Sequence, residues 1–422
     1  MQNREKDWYF FAPVVSILTF ILFQLLFYQN HGTLELGEIT PTDKLDIQQG
    51  NNVFRLLIMS VAMVFSFIGI IIQVRMQRFR TVNLWLMAPF VVYCFISIAW
   101  SPVPFISLKR CVQILGLLAI GIYAVQALNH SERILRIVRN LLAVVIIINL
   151  FVILVVPAIG ITPGTGEWRG FLQHKNSLGA ITILTIAVWL PALFERQSWR
   201  KKILTVGLVA TTLLLTVKSD SQTAVLINLI LLAVCFFIIF PLPWSMKISL
   251  SAAAVLFLIF GIMNFNDVNF SSVTGSLFER SATLTGRTQL WRLVFNEFLT
   301  HPYFGIGYNG FWTSQIIDSD WVTFQAHNGY LDILNELGLV GAFLFFSTLI
   351  GLMYRLFRLM KNAPLQYLPY FLLLAGISMH NIMESNFCRA MTRNWFLYLL
   401  IYVVVFATSL PKSGRSIQEK HP

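Results

Sequence analysis

Charge is what this sequence has least of: Asp, Glu, Lys and Arg make up 12% of its 422 residues, about half the roughly 25% of a soluble domain. A solvated surface cannot be built from that fraction, which excludes a soluble enzyme carried on one anchor. Cysteine is sparse as well. Cys94, Cys111, Cys235 and Cys388 lie scattered in or beside apolar segments without a C-x-x-C pair, so neither a disulfide framework nor a zinc site is indicated. H-E-x-x-H, G-x-S-x-G and P-loop patterns are missing, as are repeats, low-complexity tracts and any separate soluble domain. The centres of the apolar runs carry no Asp, Glu, Lys or Arg, only neutral polar groups such as Gln24, Gln113, Asn149 and Asn228. Ion-coupled carriers keep ionisable groups there, and their absence weighs against one.

What is present is apolar. Hydrophobic residues reach 56%, Phe alone numbers 36, and the mean hydropathy is +0.70. At about 20 residues per span, a dozen crossings need roughly 240 residues. The unbroken apolar runs favour helices over barrel strands, which would alternate. We therefore expect an all-α, polytopic integral membrane protein, a single transmembrane domain over residues 1–422 with about twelve helices. The spans are expected near Trp8–Tyr28, Val53–Val74, Val82–Trp100, Val112–Leu128, Leu141–Ile159, Leu178–Phe194, Ile203–Val217, Thr223–Phe240, Ile248–Met263, Leu339–Phe357, Tyr367–Met383 and Trp395–Ser409. The first lacks a small-residue cleavage site and reads as a retained helix. One large outer loop, residues 264–329, separates the ninth and tenth spans.

Orientation follows the cations, which the cytoplasmic side retains. Arg75, Arg78 and Arg80 follow the second span, Arg196, Arg200, Lys201 and Lys202 the sixth, and Arg355, Arg358 and Lys361 the tenth. Those loops are assigned to the cytoplasm. The first loop, with Glu35, Glu38, Asp43 and Asp46 against Lys44, then faces outward, and both termini are cytoplasmic. The net charge of +12 is mostly this insertion bias plus affinity for anionic lipid heads, not an argument for nucleic acid.

The informative cations are those left on the outer face: Lys109, Arg110, Arg169, Lys175, Lys218, Arg280, Arg287, Arg292, Arg389 and Arg393. In a bundle their loops converge on one rim at headgroup depth. Guanidinium forks match pairs of phosphate oxygens, so the rim suits a lipid-linked phosphate or diphosphate. Taken singly, each residue is equally well explained by snorkelling or by pairing with an acid.

The outer loop carries the remaining pattern. A helical stretch opens near Arg287, with Thr288 as its cap and Leu290, Val294 and Phe298 on one stripe that lies on the membrane or packs on the bundle. It stops at His301-Pro302, and Gly305 and Gly307 make a flexible turn. His327 and Asn328 then stand at the start of a helix leading to the tenth span. An imidazole with an ordinary pKa of about 6.5 suits proton abstraction, with Asp332 or Glu336 to orient it. His174 competes for that role, and a helix-start histidine satisfying backbone groups explains His327 without any chemistry. Asp318 and Asp320 form the one D-x-D, which reads better as a solvated loop than as a metal site.

These residues resemble the O-antigen ligase and polysaccharide polymerase superfamily of bacterial inner membranes. The likeness rests on Trp168-Arg-Gly-Phe171 with His174-Lys175-Asn176, Thr285-Gly-Arg287 leading into Trp291, His301-Pro-Tyr-Phe-Gly-Ile-Gly-Tyr308, and Ala326-His-Asn-Gly-Tyr-Leu331 followed by Glu336-Leu-Gly-Leu339. The first of these looks more like the exopolysaccharide polymerase branch than the ligases. The resemblance implies a GT-C-like bundle in the inner membrane with its active site facing the periplasm. It also implies an inverting, metal-independent glycosyltransferase that needs no cofactor. Its donor would be an undecaprenyl diphosphate-linked oligosaccharide, and its acceptor a glycan or the lipid A core. By that likeness His327 takes the acceptor proton, and Arg287, Arg169, Lys175, Arg280, Lys218 and Arg110 hold the diphosphate. Asn328, His174 and Glu336 then orient the base or meet the acceptor. Where relatives often carry Ser-Arg or Ser-Lys after the seventh span, this chain has Ser221-Gln222, with Lys218 nearby in its place. Three classes stay open: a polymerase or ligase, a carrier of lipid-linked saccharides with a deep polar cavity, and a non-catalytic scaffold.

Overall fold

Hydrocarbon offers no partner to a bare N–H or C=O, so a chain this apolar must satisfy its backbone internally, and helices do so within one segment. The computed structural model describes residues 53–77, 79, 81–128, 131–240, 243, 245–246, 249, 287–312, 325–389 and 392–407. Helices dominate these residues. Among them no strand forms, only an isolated antiparallel bridge between Ile161 and Trp168. In chain order the helices are α1 (Val53–Arg75), α2 (Met87–Ile96, continued by a 3-10 turn to Trp100), α3 (Pro104–Leu128), α4 (Ser131–Val155), α5 (Lys175–Trp189), α6 (Trp199–Lys218) and α7 (Gln222–Ile239). They continue as α8 (287–298), α9 (Gly329–Met360), α10 (Pro364–His380) and α11 (Arg393–Ala407).

Among the described residues six helices are long and apolar enough to cross a membrane by length and composition, as expected of a polytopic membrane protein. Each of the second to eighth and the tenth to twelfth expected spans coincides with a helix. The first lies outside the described residues, as does the ninth apart from residue 249, together with Arg280, Asp318, Asp320 and most of the loop 264–329.

Position in the bundle follows from which faces are apolar. A helix hydrophobic all round belongs in the interior, and α11 is buried from Arg393 through Phe406. It packs on α3, while α10 packs on α5, α7 and α9, and α1 lies against α3 at the periphery. Lipid is as apolar as leucine, so these contacts hold by close van der Waals fit instead of by escape from water. Phe345 of α9, Phe387, Trp395 and Tyr398 supply one such contact. Trp395 and Tyr398 stack at 5.1 Å, and Phe345 meets Phe387 at 5.2 Å. At Gly376 of α10 a Cβ would come within 2.9 Å of Ile183 and 3.3 Å of Leu231, so α5 and α7 reach the helix backbone there.

One helix is broken on purpose-built geometry. Gly338 interrupts α9 with φ 64° and ψ −168°, which frees helical donors and acceptors on either side. Segment 302–307 takes them up. Leu339 and Val340 donate to the carbonyls of Pro302 and Tyr303 at 2.8 and 3.1 Å, and Ile306 and Gly307 donate to those of Asn335 and Glu336 at 2.9 and 2.8 Å. The expected flexible turn at Gly305 and Gly307 is instead a fixed clasp. Glycine is needed there because a Cβ on Gly305 would lie 2.5 Å from the Glu336 backbone.

Candidate functional site

The start of α9 sets the geometry. Asn328 caps it, its side-chain oxygen accepting from the N–H groups of Tyr330 at 3.1 Å and Leu331 at 3.2 Å, the ordinary role of Asn before a helix. Its own N–H donates to Ser385 Oγ at 3.1 Å, and the Gly329 N–H donates to the Asn381 carbonyl at 2.9 Å. These donors are all engaged, so the helix end itself has no free N–H row for an anion. The preceding residue, His327, has φ +49°, a left-handed conformation that is costly for a side chain of this size and is held by its neighbours.

That backbone turn brings the imidazole to the segment following α10. His327 Nδ1 lies 3.1 Å from Glu384 Oε2 and 3.2 Å from the Gln325 amide nitrogen. The other carboxylate oxygen, Glu384 Oε1, lies 3.5 Å from an Arg287 guanidinium nitrogen, and Arg287 also donates to the Met383 carbonyl at 3.2 Å. Three elements thus meet at one carboxylate: the first described residue of α8, the start of α9 and the turn after α10. Asn381 holds that turn, its side-chain oxygen accepting from Asn386 and Phe387 N–H at 2.9 Å each. The side chains of His327, Glu384 and Arg287 remain 32%, 22% and 26% exposed, so a ligand can reach them. His380 and the buried Arg393 lie within electrostatic reach of Glu384.

Burial pushes the Glu384 carboxyl up, but the hydrogen bond from His327 and the neighbouring His327, His380 and Arg287 outweigh it and hold the group below the ordinary carboxylate range. An ionised carboxylate accepts only, so the proton of a neutral His327 sits on Nδ1. Among the described residues Nε2 makes no hydrogen bond, which leaves its lone pair open to a ligand.

The expected orienting acids do other work. Asp332 accepts from Trp312 Nε1 at 2.8 Å and from the Ala326 N–H at 3.2 Å, and it pairs with Arg389 at 3.1 Å. Glu336 accepts from the Asn309 N–H at 3.0 Å. Both fix the frame around His327 without touching the ring, and Glu384 stands where either was expected. Thr288 lies inside α8, which already includes Arg287, and is not its cap. The stripe packs inward: Val294 and Phe298 are buried, and Val294 clusters with Phe311, Trp312, Ala326 and Leu290. Trp291 Nε1 donates to the Ala326 carbonyl at 2.8 Å, tying α8 to the His327 segment.

The remaining expected cations fall elsewhere. Arg110 of α3 donates to Gln113 at 3.2 Å and lies within electrostatic reach of Glu336. Arg169, Lys175 and Lys218 gather in a second group. Lys175 pairs with Glu167 at 2.6 Å and Asp220 at 3.4 Å, Lys218 sits 5.9 Å over the Trp168 ring, and Arg169 donates to the Ile159 carbonyl at 3.0 Å. His174 is exposed at the start of α5, in this second group. Lys175 is therefore already compensated by two carboxylates. Glu384 escaped the sequence reading, although one signal marked it: it is the single acid between the eleventh and twelfth spans, among Arg389 and Arg393.

Residues 206–346 match the O-antigen ligase family, a stretch that contains Arg287, His327, Asn328 and Glu336 and ends before Glu384. The chain is also 27% identical over 285 residues to the exopolysaccharide production protein ExoQ of Rhizobium meliloti (strain 1021), which covers 63% of each chain. The alignment thus spans less than two thirds of that relative. With the helical membrane architecture and the motif order, these likenesses support a relationship to the O-antigen ligase and polysaccharide polymerase superfamily.

Proposed function

We propose that the protein is a membrane glycosyltransferase of the bacterial inner membrane, working on its periplasmic side with both termini in the cytoplasm. It transfers saccharide from an undecaprenyl diphosphate-linked donor to the end of a growing glycan. The observation that carries this reading is the Arg287–Glu384–His327 junction, in which a base and a phosphate-seeking guanidinium share one carboxylate. The acceptor hydroxyl attacks the anomeric carbon while its proton passes to His327 Nε2. The bond from that carbon to the diphosphate breaks, and the electron pair leaves with the diphosphate. Arg287, with two contacts on Met383 and Glu384, keeps further N–H donors for the departing oxygens. Glu384 fixes the reactive tautomer and steadies the imidazolium. Attack opposite the leaving group inverts the anomeric centre. None of these steps asks for a metal ion.

The name of the exopolysaccharide relative favours polymerisation, with transfer to the lipid A core as the second reading. Purified protein given lipid-linked repeat units, with and without lipid A core, separates them: a product ladder without core supports the polymerase, and a single transfer to core supports the ligase. His327→Ala should lower turnover by roughly 10²- to 10⁴-fold while the protein stays folded. Wild-type product from that variant would remove the imidazole from this role, and bilayer translocation without bond formation would make the protein a carrier.

A further inference from the structure

At the end of the bundle opposite His327 lies a cavity of about 640 Å³ between the ends of α4, α5, α6 and α10. The distance is set by α10, which runs from the cavity at Leu365 to His380 beside Glu384, about 22 Å at 1.5 Å per residue. Lys201 lines the cavity, and it belongs with Arg196, Arg200 and Lys202 to the run of cations between the sixth and seventh expected spans that assigns this end to the cytoplasmic side.

Its lining separates into spent and unspent charge. Arg139 is spent: its Nε donates to the Val188 carbonyl at 2.8 Å, and its two terminal nitrogens hold Glu195 at 3.1 and 2.7 Å. Trp189 Nε1 donates to the Arg139 carbonyl at 3.0 Å, fixing the indole as part of the wall. Arg136 and Lys201 also line the cavity and are exposed, and among the described residues the guanidinium of Arg136 and the ammonium of Lys201 make no hydrogen bond or ion pair. Glu132, one turn before Arg136 on α4, lies beside them. Below these heads the wall turns apolar, and Leu204, one turn beyond Lys201 on α6, is 73% exposed and opens the cavity sideways to the bilayer.

We infer that this cavity is a phospholipid site, with the phosphodiester between Arg136 and Lys201, the head group turned toward Glu132, and an acyl chain leaving along Leu204. Two cations at headgroup depth between helices suit a lipid phosphate. A carboxylate beside them selects a head group that donates hydrogen bonds, an ammonium or a glycerol, over the methylated ammonium of choline. The apolar wall favours a lipid over free phosphate, which would leave it uncovered. Lipid seated here would bridge four helix ends on the side away from the sugar chemistry.

The test uses the full-length protein, purified and delipidated in detergent, with thermal unfolding followed against added phosphatidylglycerol, phosphatidylethanolamine, phosphatidylcholine or inorganic phosphate. Phosphatidylglycerol or phosphatidylethanolamine should raise the transition saturably, phosphatidylcholine should need at least about tenfold more, and inorganic phosphate should do nothing. The pair Arg136→Gln and Lys201→Gln should weaken the lipid effect at least about tenfold, and Arg136→Lys with Lys201→Arg should restore it. Equal stabilisation by phosphatidylcholine, or by the neutral and wild-type proteins, overturns the site. An inorganic phosphate response as large as the lipid response makes it a free-anion site and overturns the lipid assignment.

Discussion

Replacing Glu384 by Gln tests the centre most sharply, because it keeps the shape and removes the charge on which His327 and Arg287 converge. The carboxylate lies 3.1 Å from His327 Nδ1. At an effective dielectric of about 20 the attraction to an imidazolium at that distance is about 5 kcal/mol. With the two side chains 32% and 22% exposed, solvent screening reduces this to about 1–2 kcal/mol, or about a 5- to 30-fold loss of turnover. That is the outcome if the Gln oxygen faces Nδ1 and the tautomer survives. If the amide nitrogen faces it, Nε2 carries the proton and the base is lost, with a fall of roughly 10²- to 10⁴-fold. Arg287 also loses its anchor, so the donor KM should rise in either case. The assay is ladder formation from lipid-linked repeat units at several donor concentrations, with thermal unfolding as a check on folding. A variant that matches wild type in both kcat and donor KM refutes the proposed centre. The same carboxylate sets a pH limit. Its folded pKa lies below the ordinary 4.5, so its stabilising contribution is complete above the unfolded value and is lost as pH falls through the lowered one. Glu384→Gln should therefore remove this group's share of any loss of stability that wild type shows below about pH 4.5, and a wild-type acid transition unchanged in the variant would assign it to other carboxylates.

Arg287→Lys keeps the charge and loses the planar fork, so donor affinity should weaken several-fold with turnover at saturation less affected; unchanged donor affinity counts against a diphosphate contact. Gly338→Ala should be poorly tolerated, since the residue has φ +64° and its Cβ would meet the Tyr303 carbonyl at 2.4 Å. A cost of at least about 1–3 kcal/mol is expected, read as a lower unfolding temperature in detergent, and a wild-type transition would mean that the clasp yields without cost.

The spans were legible because hydropathy reports lipid contact directly, but their ends were not. Helix α3 begins at Pro104 and α4 at Ser131, well before the expected Val112 and Leu141. Lys109, Arg110, Arg133, Arg136 and Arg139 continue these helices beyond the apolar core, and a search for apolar runs stops at such residues. A proline in the first turn marked the true start of α3. In the site, His327 and Arg287 stood out through residue type and motif. Their meeting point did not, because Glu384 is 57 residues from His327 in the chain and only the docking of the turn after α10 onto the start of α9 brings it there. The same limit explains Lys175. Its sign suggested phosphate, while its partner Asp220 lies 45 residues away.

The clasp at Gly338 has a mechanical consequence. Segment 302–307 grips both sides of the break in α9, while Asn335 holds the Val294 carbonyl at 3.0 Å and Trp291 holds Ala326. The Arg287 helix and the His327 turn are therefore riveted into one piece. Because the same segment bonds on both sides of Gly338, that piece is also locked to the membrane half of α9, and the spacing between the Arg287 and His327 side chains is set by the fold and not by a hinge at the break.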